Sequence, residues 1–491
     1  MEISLNMPQT HETHSTKLGP LSWAAIGGGV IALALLIYGS LHGDHGHGHE
    51  AHAHAPSMWS IIPFAGVLLS IAILPLISST AHWWESNRNR LAVALVFGAM
   101  TLLYYFATQG TDKVVTVLEH AVLAEYIPFI VLLFSLYVIS GGISLKGDLA
   151  AHPSTNTAFL AVGAGIASFI GTTGASMLLI RPLLQTNSER KHVLHTVIFF
   201  IFLVSNIGGC LLPIGDPPLF LGYLKGVPFL WTLGLFAPWL VTVVFLLVVY
   251  FIWDTVAYRK EELKDIVRDE TQKTKLKLSG LPNFVWLIGV VLCVALIKPE
   301  EKLFGLFVPF PFMRELMMMV FVALSLKFTK KQIRDDNQFN YHAILEVAAL
   351  FIGIFICMQA PIEILRASGA QLEPLLSSPD RFYWATGALS SFLDNAPTYV
   401  VFFETASTMP SGEAVETVAF SGGAIAEHLL VAISLGAVFM GAMTYIGNGP
   451  NFMVKSIAEQ SGIRMPSFFG YMLYSVAILV PTFIVVAWVF L

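Results

Sequence analysis

Two similar motifs, IGDPPLF at 214–220 and IGNGPNF at 446–452, place glycine, proline and a polar residue inside long apolar runs. Proline removes amide donors and glycine permits non-helical angles, so both motifs should interrupt a helix and free carbonyl oxygens. A bilayer tolerates such backbone only where protein buries it or where it lines a wet cavity. We therefore expect Asp216, its counterpart Asn448 and the upstream Asn206 to lie at a substrate site. The alternative is that Asp216 caps a helix near the membrane surface.

Polar residues also occupy the predicted tips of two apolar hairpins. The second tip, LDNAPT at 393–398, carries Asp394, Asn395 and Thr398. The first tip, GTTGAS at 171–176, offers three hydroxyls without charge, on Thr172, Thr173 and Ser176. A turn alone would explain Asp, Asn and Pro. A turn at bilayer depth must still satisfy its backbone, so we expect the tips to complete the site.

These residue types are suited to a hard cation. Sodium should prefer carboxylate, amide and carbonyl oxygens, by extension from calcium and magnesium. Desolvation disfavours the charged form of a carboxylate, so Asp216 or Asp394 could exchange a proton for a cation. The sequence therefore predicts Asp216 and Asp394 as Na⁺ ligands, with Na⁺ and H⁺ as transported ions and no bound cofactor.

The composition indicates a membrane protein. The chain has 491 residues, of which 55% are hydrophobic and 12% charged. A spanning helix needs about 20 apolar residues, and roughly ten such runs can be marked. The lipid bilayer is thus one expected partner, and no nucleic-acid partner is indicated. The three cysteines form no metal-binding or disulfide spacing.

The order of these runs predicts two repeats. We expect a tail, first helix and His-rich loop at 1–57, a first repeat at 58–258, a cytoplasmic linker at 259–281 and a second repeat at 282–491. The first repeat should contain spans near 59–79, 91–107 and 126–144, a hairpin at 158–185, a broken span ending near 218 and a span at 229–257. The second should contain spans at 282–297, 313–326 and 343–358, a hairpin at 383–406, a broken span at 429–457 and a span at 467–491. The expected fold is an all-α polytopic membrane protein with two re-entrant hairpins and two broken transmembrane helices.

Loop charges predict the orientation of the repeats. With a cytoplasmic amino terminus, the outer loops keep only a few basic residues, namely Lys113, Lys225, Lys298, Lys302 and Arg366. This asymmetry satisfies the positive-inside rule and gives the two repeats inverted topology, which is typical of secondary transporters. We expect a multi-pass protein of the cell (inner) membrane.

The motifs NIGG…PIGDPP and LDNAP resemble those of the ion transporter superfamily. It includes NhaD-type sodium/proton antiporters, ArsB and P-protein permeases, and dicarboxylate and citrate carriers. The resemblance covers the chain from about residue 59 onward and implies a scaffold domain, a transport domain and a homodimer. By motif it assigns Asn206, Gly209 and Asp216 to the first broken helix, and Asp394, Asn395 and Pro397 to an NhaD-like second hairpin.

The resemblance is less specific for substrate. Where NhaD relatives tend to carry an Asp-Asn pair and carboxylate carriers a Ser-Asn-Thr signature, this chain has GTTGAS at 171–176. The phrase IGDPP is closer to the permease branch.

Three functions follow from these observations. The first is a Na⁺/H⁺ antiporter working by alternating access. The second is a carrier of citrate, a dicarboxylate or an arsenite-like anion, with helix amino termini facing the anion. The buried acids and the lack of an arginine in the motifs argue against it. An enzyme is not expected, since the chain lacks a paired His-Glu metal motif, a GxSxG nucleophile and a phosphate loop.

A His-rich segment raises a third, minor alternative, transition-metal transport. The segment HGDHGHGHEAHAH at 42–54 supplies six imidazoles, on His42, His45, His47, His49, His52 and His54. Imidazole binds Zn, Ni or Cu. The segment lies outside both repeats, and flexible tracts of this kind are more typical of low-affinity binders.

Overall fold

The chain is predominantly helical in a computed structural model that describes residues 56–271, 274–298, 310–372, 376, 378–409 and 415–491. Within these ranges, five helices are long and apolar enough to cross a membrane, or six when one bent pair is counted as a span. The predicted all-α polytopic membrane fold is thereby confirmed. The first predicted helix and the His-rich segment lie outside the described residues.

The first half contains nine α-helices and short 3₁₀ and π segments. The α-helices are α1 (Ile62–Ile73), α2 (Ser78–Trp84), α3 (Asn87–Leu118), α4 (Ile127–Ser140), α5 (Pro153–Ile170), α6 (Thr172–Thr186), α7 (Leu194–Leu203), α8 (Pro217–Leu224) and α9 (Phe236–Tyr258). The 3₁₀ helices are Met58–Ile61, Ile207–Leu211 and Trp231–Leu235, and a π-helix covers Glu119–Tyr126.

Two predicted spans of the first half are joined by helix rather than by a loop. The helical stretch Asn87–Ser140 covers the predicted span 91–107 and the predicted span 126–144 as far as residue 140. It bends at Gly110, whose φ of 84° is left-handed and therefore suited to glycine. Its ψ of −175° is also non-helical, so two helical segments meet at a kink at this residue. The span predicted at 59–79 is itself bent, by 103° between Met58–Ile73 and Ser78–Trp84.

The charged segment at 259–281 is folded against the first half. It contains α10 (Leu263–Thr271) and β2 (Thr274–Ser279). Strand β2 pairs antiparallel with β1 (Ser144–Asp148), starting from Ser144 opposite Ser279. The predicted linker is thus partly ordered by a two-stranded sheet.

The second half repeats the order of broken and paired helices. Its α-helices are α11 (Pro282–Leu296), α12 (Met313–Phe328), α13 (Lys331–Asp336), α14 (His342–Cys357), α15 (Gln359–Leu372), α16 (Pro379–Phe392), α17 (Asn395–Ser407), α18 (Glu427–Met440), α19 (Gly449–Gln460) and α20 (Phe468–Phe490). A β-hairpin of β3 (Thr417–Phe420) and β4 (Gly423–Ala426) precedes α18, and a 3₁₀ helix covers Gly441–Met443. Neither α15 nor this hairpin was predicted from the sequence. The inverted orientation of the halves stays a prediction.

Local backbone chemistry sets the hairpins and the breaks. Helices α5 and α6 meet at Gly171, whose φ is 76°. Helices α16 and α17 meet at Asp394, which caps α17 by accepting from the backbone amide of Ala396. Each break ends where a new helix begins with proline at its first turn, at Pro217 in α8 and Pro450 in α19. Proline is tolerated there because the first amides of a helix have no intrahelical partner.

Burial separates a central helix from peripheral ones. The span that contains α7 is 94% buried, whereas the spans that contain α9 and α20 are 39% and 33% buried. Peripheral side chains such as Trp488 and Phe469 are apolar and exposed. Lipid can cover those faces, so α7 and the two breaks occupy the interior of the bundle.

Candidate functional site

Asp216 lies where the first helix break ends. Asp216 is 1% exposed, and its backbone is extended, with φ −144° and ψ 142°. The following Pro217 disfavours the α conformation at Asp216, so the break ends with this carboxylate held at the start of α8.

The Asp216 carboxylate joins three other elements. Its Oδ1 accepts hydrogen bonds from Thr172 Oγ1 at 3.0 Å and from Asn448 Nδ2 at 3.0 Å. Its Oδ2 accepts from Asn395 Nδ2 at 2.6 Å. Thr172 and Asn395 stand at the tips of the two hairpins, and Asn448 stands in the second break. The structure thus brings four of the predicted site residues together.

Four helix amino termini meet at this carboxylate. Thr172 begins α6 and Asn395 begins α17, while Asp216 and Asn448 immediately precede α8 and α19. A helix amino terminus carries a partial positive charge, so their convergence favours a negative group at this point. Asp216 supplies that charge within the chain.

Amides of the second break satisfy carbonyls that the breaks release. Asn448 Nδ2 also donates to the carbonyl of Ser205 at 3.1 Å. Asn451 Nδ2 donates to the carbonyls of Gly441 and Thr444, both at 2.9 Å. Asn451 Oδ1 accepts from Asn206 Nδ2 at 2.7 Å. The two breaks are therefore held to each other by side-chain amides.

Two buried amide oxygens have no hydrogen-bond partner among the described residues, Asn206 Oδ1 and Asn395 Oδ1. Asn206 Oδ1 lies 3.1 Å, and Asn395 Nδ2 3.5 Å, from the position that a Cβ would take on Gly441. Because Gly441 has no side chain, both amides can approach its backbone closely, and Asn395 also contacts Asp216. A buried acceptor without a partner points to water or a cation.

Close backbone approaches explain the glycines shared by the breaks. A Cβ on Gly215 would lie 2.3 Å from the carbonyl oxygen of Gly209. A Cβ on Gly447 would lie 2.5 Å from the carbonyl oxygen of Gly441. The likeness of the two motifs therefore reflects the same packing in both halves.

Asp394, predicted as a second Na⁺ ligand, forms its hydrogen bonds within the first turn of α17. It is half-buried, and its Oδ1 accepts from the amide of Ala396 at 3.1 Å. Its carbonyl accepts from Thr398 Oγ1 at 3.0 Å. Asp394 and Thr398 thus form the first turn of α17, and neither hydrogen-bonds to Asp216. A Na⁺ ion shared by the two acids stays a prediction.

The remaining predicted hydroxyls, on Ser176 and Thr173, do not contact the Asp216 carboxylate directly. Ser176 Oγ lies 2.9 Å from Ser205 Oγ, and both residues are fully buried. Thr173 is half-buried at the first tip and forms no hydrogen bond to Asp216. Within the described ranges, no three His, Cys, Asp or Glu side chains are grouped to hold a metal ion. The six histidines at 42–54 lie outside those ranges.

Three hydroxyls that support the site were missed. Ser168 Oγ donates to the carbonyl of Gly208 and accepts from the amide of Leu211. Thr444 Oγ1 donates to the carbonyl of Ser391 and accepts from the amide of Gly447. Ser205 contacts Ser176 through its hydroxyl and accepts from Asn448 through its carbonyl. Nothing in the sequence distinguished these hydroxyls from others in apolar helices.

No lysine or arginine of the described chain forms an ion pair with Asp216. Lys225, which follows α8, pairs instead with Glu404 at 2.6 Å and with Glu125 at 3.5 Å. Arg366 also pairs with Glu404, at 2.9 Å. The positive potential at Asp216 therefore comes from helix termini and amide donors.

Comparison with known proteins gives one family match. The model of the family CitMHS_2, described as "Putative citrate transport", matches residues 53–491. This range contains both hairpins, both breaks and every residue that hydrogen-bonds to Asp216. No curated protein matches the chain.

Proposed function

This chain belongs to the citrate-transport family CitMHS_2, and we propose that it is a secondary active transporter that exchanges Na⁺ for H⁺ at Asp216. Membership of a transporter family in a polytopic membrane protein supports transport rather than an enzymatic reaction. The identity of the transported ions rests on the chemistry around Asp216.

One observation carries the proposal: a buried carboxylate lies beside two amides whose oxygens have no hydrogen-bond partner among the described residues. Asp216, Asn206 and Asn395 supply oxygen atoms of the type that hard cations bind. Both breaks also release carbonyl oxygens nearby. Because no basic side chain pairs with Asp216 among the described residues, a small cation or a proton is left to neutralise it.

The same arrangement explains why Na⁺ and H⁺ would be exchanged for each other and would not cross the membrane independently. An unneutralised charge is costly in the low-dielectric interior of a membrane protein. We propose that the site changes its exposure from one side to the other only when Asp216 carries Na⁺ or a proton. Each ion then excludes the other from one carboxylate, which couples their movements.

Binding can be measured without transport. A ligand that binds only the folded state stabilises it, by about 2.7 kcal/mol at 100 times its Kd. We expect Na⁺, but not K⁺, to raise the melting temperature of the purified protein, and Asp216→Asn to remove this effect. Asp380→Asn, at an exposed carboxylate in the first turn of α16, is the control. An equal Na⁺ response in Asp216→Asn would refute the assignment.

A carrier of citrate, a dicarboxylate or an arsenite-like anion is the second candidate. The family description and the four helix amino termini around Asp216 favour it. Labelled citrate added to proteoliposomes would accumulate if this candidate holds. Citrate accumulation together with a sodium-insensitive pH gradient would replace the antiporter by the anion carrier.

We further propose that the protein works as a homodimer in the cell (inner) membrane, with its amino terminus cytoplasmic. The exposed apolar faces of α9 and α20 support a lipid environment. Cysteine accessibility of residues added at the amino terminus would test the orientation. Labelling by an impermeant reagent from outside the cell would contradict it.

A further inference from the structure

A cavity of about 740 Å³ opens at the far ends of two helices that begin at the site. Helix α6 starts at Thr172 and ends at Thr186, and α19 starts beside Asn448 and ends at Gln460. At 1.5 Å of rise per residue, the far ends lie roughly 20 Å from Asp216. The cavity is therefore a separate feature from the carboxylate centre.

The lining of this cavity is strongly basic. Among the described residues that line it are four cationic side chains, on Arg181, Arg190, Lys191 and Arg464, and no aspartate or glutamate. Two of the four are neutralised: Arg190 pairs with Asp254 at 2.6 Å, and Lys191 pairs with Glu262 and Asp265.

The other two cations have no acidic partner within the part of the chain that the structure describes. Arg181 Nη2 donates to the amide oxygen of Gln338 at 3.2 Å, which leaves its charge uncompensated. Arg464 is exposed and forms no ion pair within the described chain. A guanidinium group presents parallel N–H donors that match the two oxygens of a carboxylate or a phosphate. Two such groups lining one cavity suit a ligand with more than one anionic group.

Neutral polar groups complete the lining. Gln185, Gln460 and Ser461 can hydrogen-bond the remaining oxygens of such a ligand. The volume falls in the range of about 300–1,000 Å³ that is typical of small-molecule sites. We propose that this cavity binds a soluble multivalent anion that carries carboxylate or phosphate groups, independently of the ion exchanged at Asp216.

A membrane-surface anchor is the competing explanation for these arginines. Basic residues near helix ends commonly reach lipid headgroups. Here Arg181 and Arg464 line a cavity among the ends of α6 and α19 and the start of α7. A recessed site lined by amides and hydroxyls favours a ligand from the aqueous phase.

Calorimetry on the full chain in phosphatidylcholine nanodiscs tests the proposal, with citrate and inorganic phosphate as separate probes. We expect at least one probe to bind, and Arg181→Gln with Arg464→Gln to weaken binding at least tenfold. Asp216→Asn should bind as the wild type does. The control Arg88→Gln with Lys331→Gln removes two exposed charges elsewhere and should also leave binding unchanged.

Several outcomes would overturn the proposal. Failure of the wild type to bind either probe would do so, and so would unchanged affinity in the double arginine variant. Loss of anion binding in Asp216→Asn alone would place the anion at the central carboxylate. Tenfold competition by phosphatidylglycerol in the nanodiscs would assign the arginines to lipid instead. If the glutamine variant does not fold, Arg181→Lys with Arg464→Lys replaces it. That variant keeps the charge but loses the paired donors, so unchanged affinity there also contradicts the proposal.

Discussion

Asp216 and Asn448 occupy the same place in two similar breaks but differ in charge. Asn448 is one of the three donors to Asp216, so the amide of one half stabilises the acid of the other. The equivalent hairpin residues Thr172 and Asn395 complete the set. A single acid at the meeting point of both halves means that one neutralisation step governs the site.

A substitution at Gly441 tests whether a cation binds beside Asp216. In Gly441→Ala the new methyl group would lie 3.1 Å from Asn206 Oδ1 and 3.2 Å from the carbonyl oxygen of Gly447. It removes no polar group but fills the space that a cation would enter. We expect Na⁺ affinity, measured by thermal shift, to fall at least tenfold while the protein remains folded.

Gly165→Ala, where a Cβ would meet nothing within 4 Å, is the matched control for Gly441→Ala. It should keep the wild-type Na⁺ affinity. Equal affinities in both variants would mean that the cation does not bind beside Gly441.

Competition at Asp216 predicts a pH dependence with a defined sign. A proton and Na⁺ exclude each other from one carboxylate, so raising the pH removes the competitor and strengthens Na⁺ binding. By linkage, the apparent Kd should fall by up to tenfold per pH unit wherever the protonated form dominates. Na⁺ titrations by calorimetry between about pH 6 and pH 9 would measure it. A Kd that is constant or rises with pH contradicts competition.

At the scale of elements, hydroxyls fix the hairpin arms to the breaks. Ser168 in α5 donates to the carbonyl of Gly208 at 2.6 Å and accepts from the amide of Leu211 at 2.9 Å. The break lacks a continuous helical ladder, so these backbone groups depend on the side chain.

Ser168→Ala should therefore destabilise the protein by roughly 1–3 kcal/mol, the cost of a buried unsatisfied group. Ser135→Ala is the control, since this equally buried hydroxyl donates only to Val131 in its own helix. Unfolding in SDS would measure both. Equal losses would show that Ser168 only fills space.

An ion cluster joins α17 to the chain that follows α8. Lys225 contacts Glu404 and Glu125, and all three side chains are at most 11% exposed. Lys225→Met leaves two buried acids with fewer partners, and we expect a loss of about 3 kcal/mol of unfolding free energy, since breaking a buried pair is costly.

Lys455→Met provides the comparison. Lys455 pairs with Glu459 one turn away on α19, and the two side chains are 20% and 43% exposed. A pair of this kind contributes about 0.3–0.5 kcal/mol. Similar losses for both lysines, measured by SDS unfolding, would show that the Lys225 cluster is not a structural link.

At the scale of the whole molecule, the sequence predicted helix boundaries that are set by local residue types. Gly171, Asp394, Pro217 and Pro450 are residue types typical of helix boundaries, and a helix ends or begins at or next to each of them. The pairing of β1 with β2 joins residues 144 and 279, and no local sequence pattern predicts a contact between residues so far apart. The helical segment between the kink at Gly110 and the span that begins at 126 was not predicted, since Gly110 alone does not show that a helix resumes after it.

The site itself was predictable in part. Asp216, Asn395, Asn448 and Thr172 were candidates because polar residues in apolar sequence are costly, and the structure places them in contact. Asp394 is also a polar residue in apolar sequence, but an aspartate that precedes a helix can cap it. Sequence alone does not distinguish a cap from a ligand. Ser168 and Thr444 resemble ordinary helix hydroxyls until their distant carbonyl partners are known.

The most direct test is Na⁺-driven proton movement in everted membrane vesicles that contain this protein. An imposed acid interior quenches a pH-sensitive dye, and we predict that added Na⁺ restores its fluorescence in the wild type but not in Asp216→Asn. Asp380→Asn should respond as the wild type does. No response to Na⁺ in the wild type, or a full response in Asp216→Asn, would contradict exchange at this carboxylate.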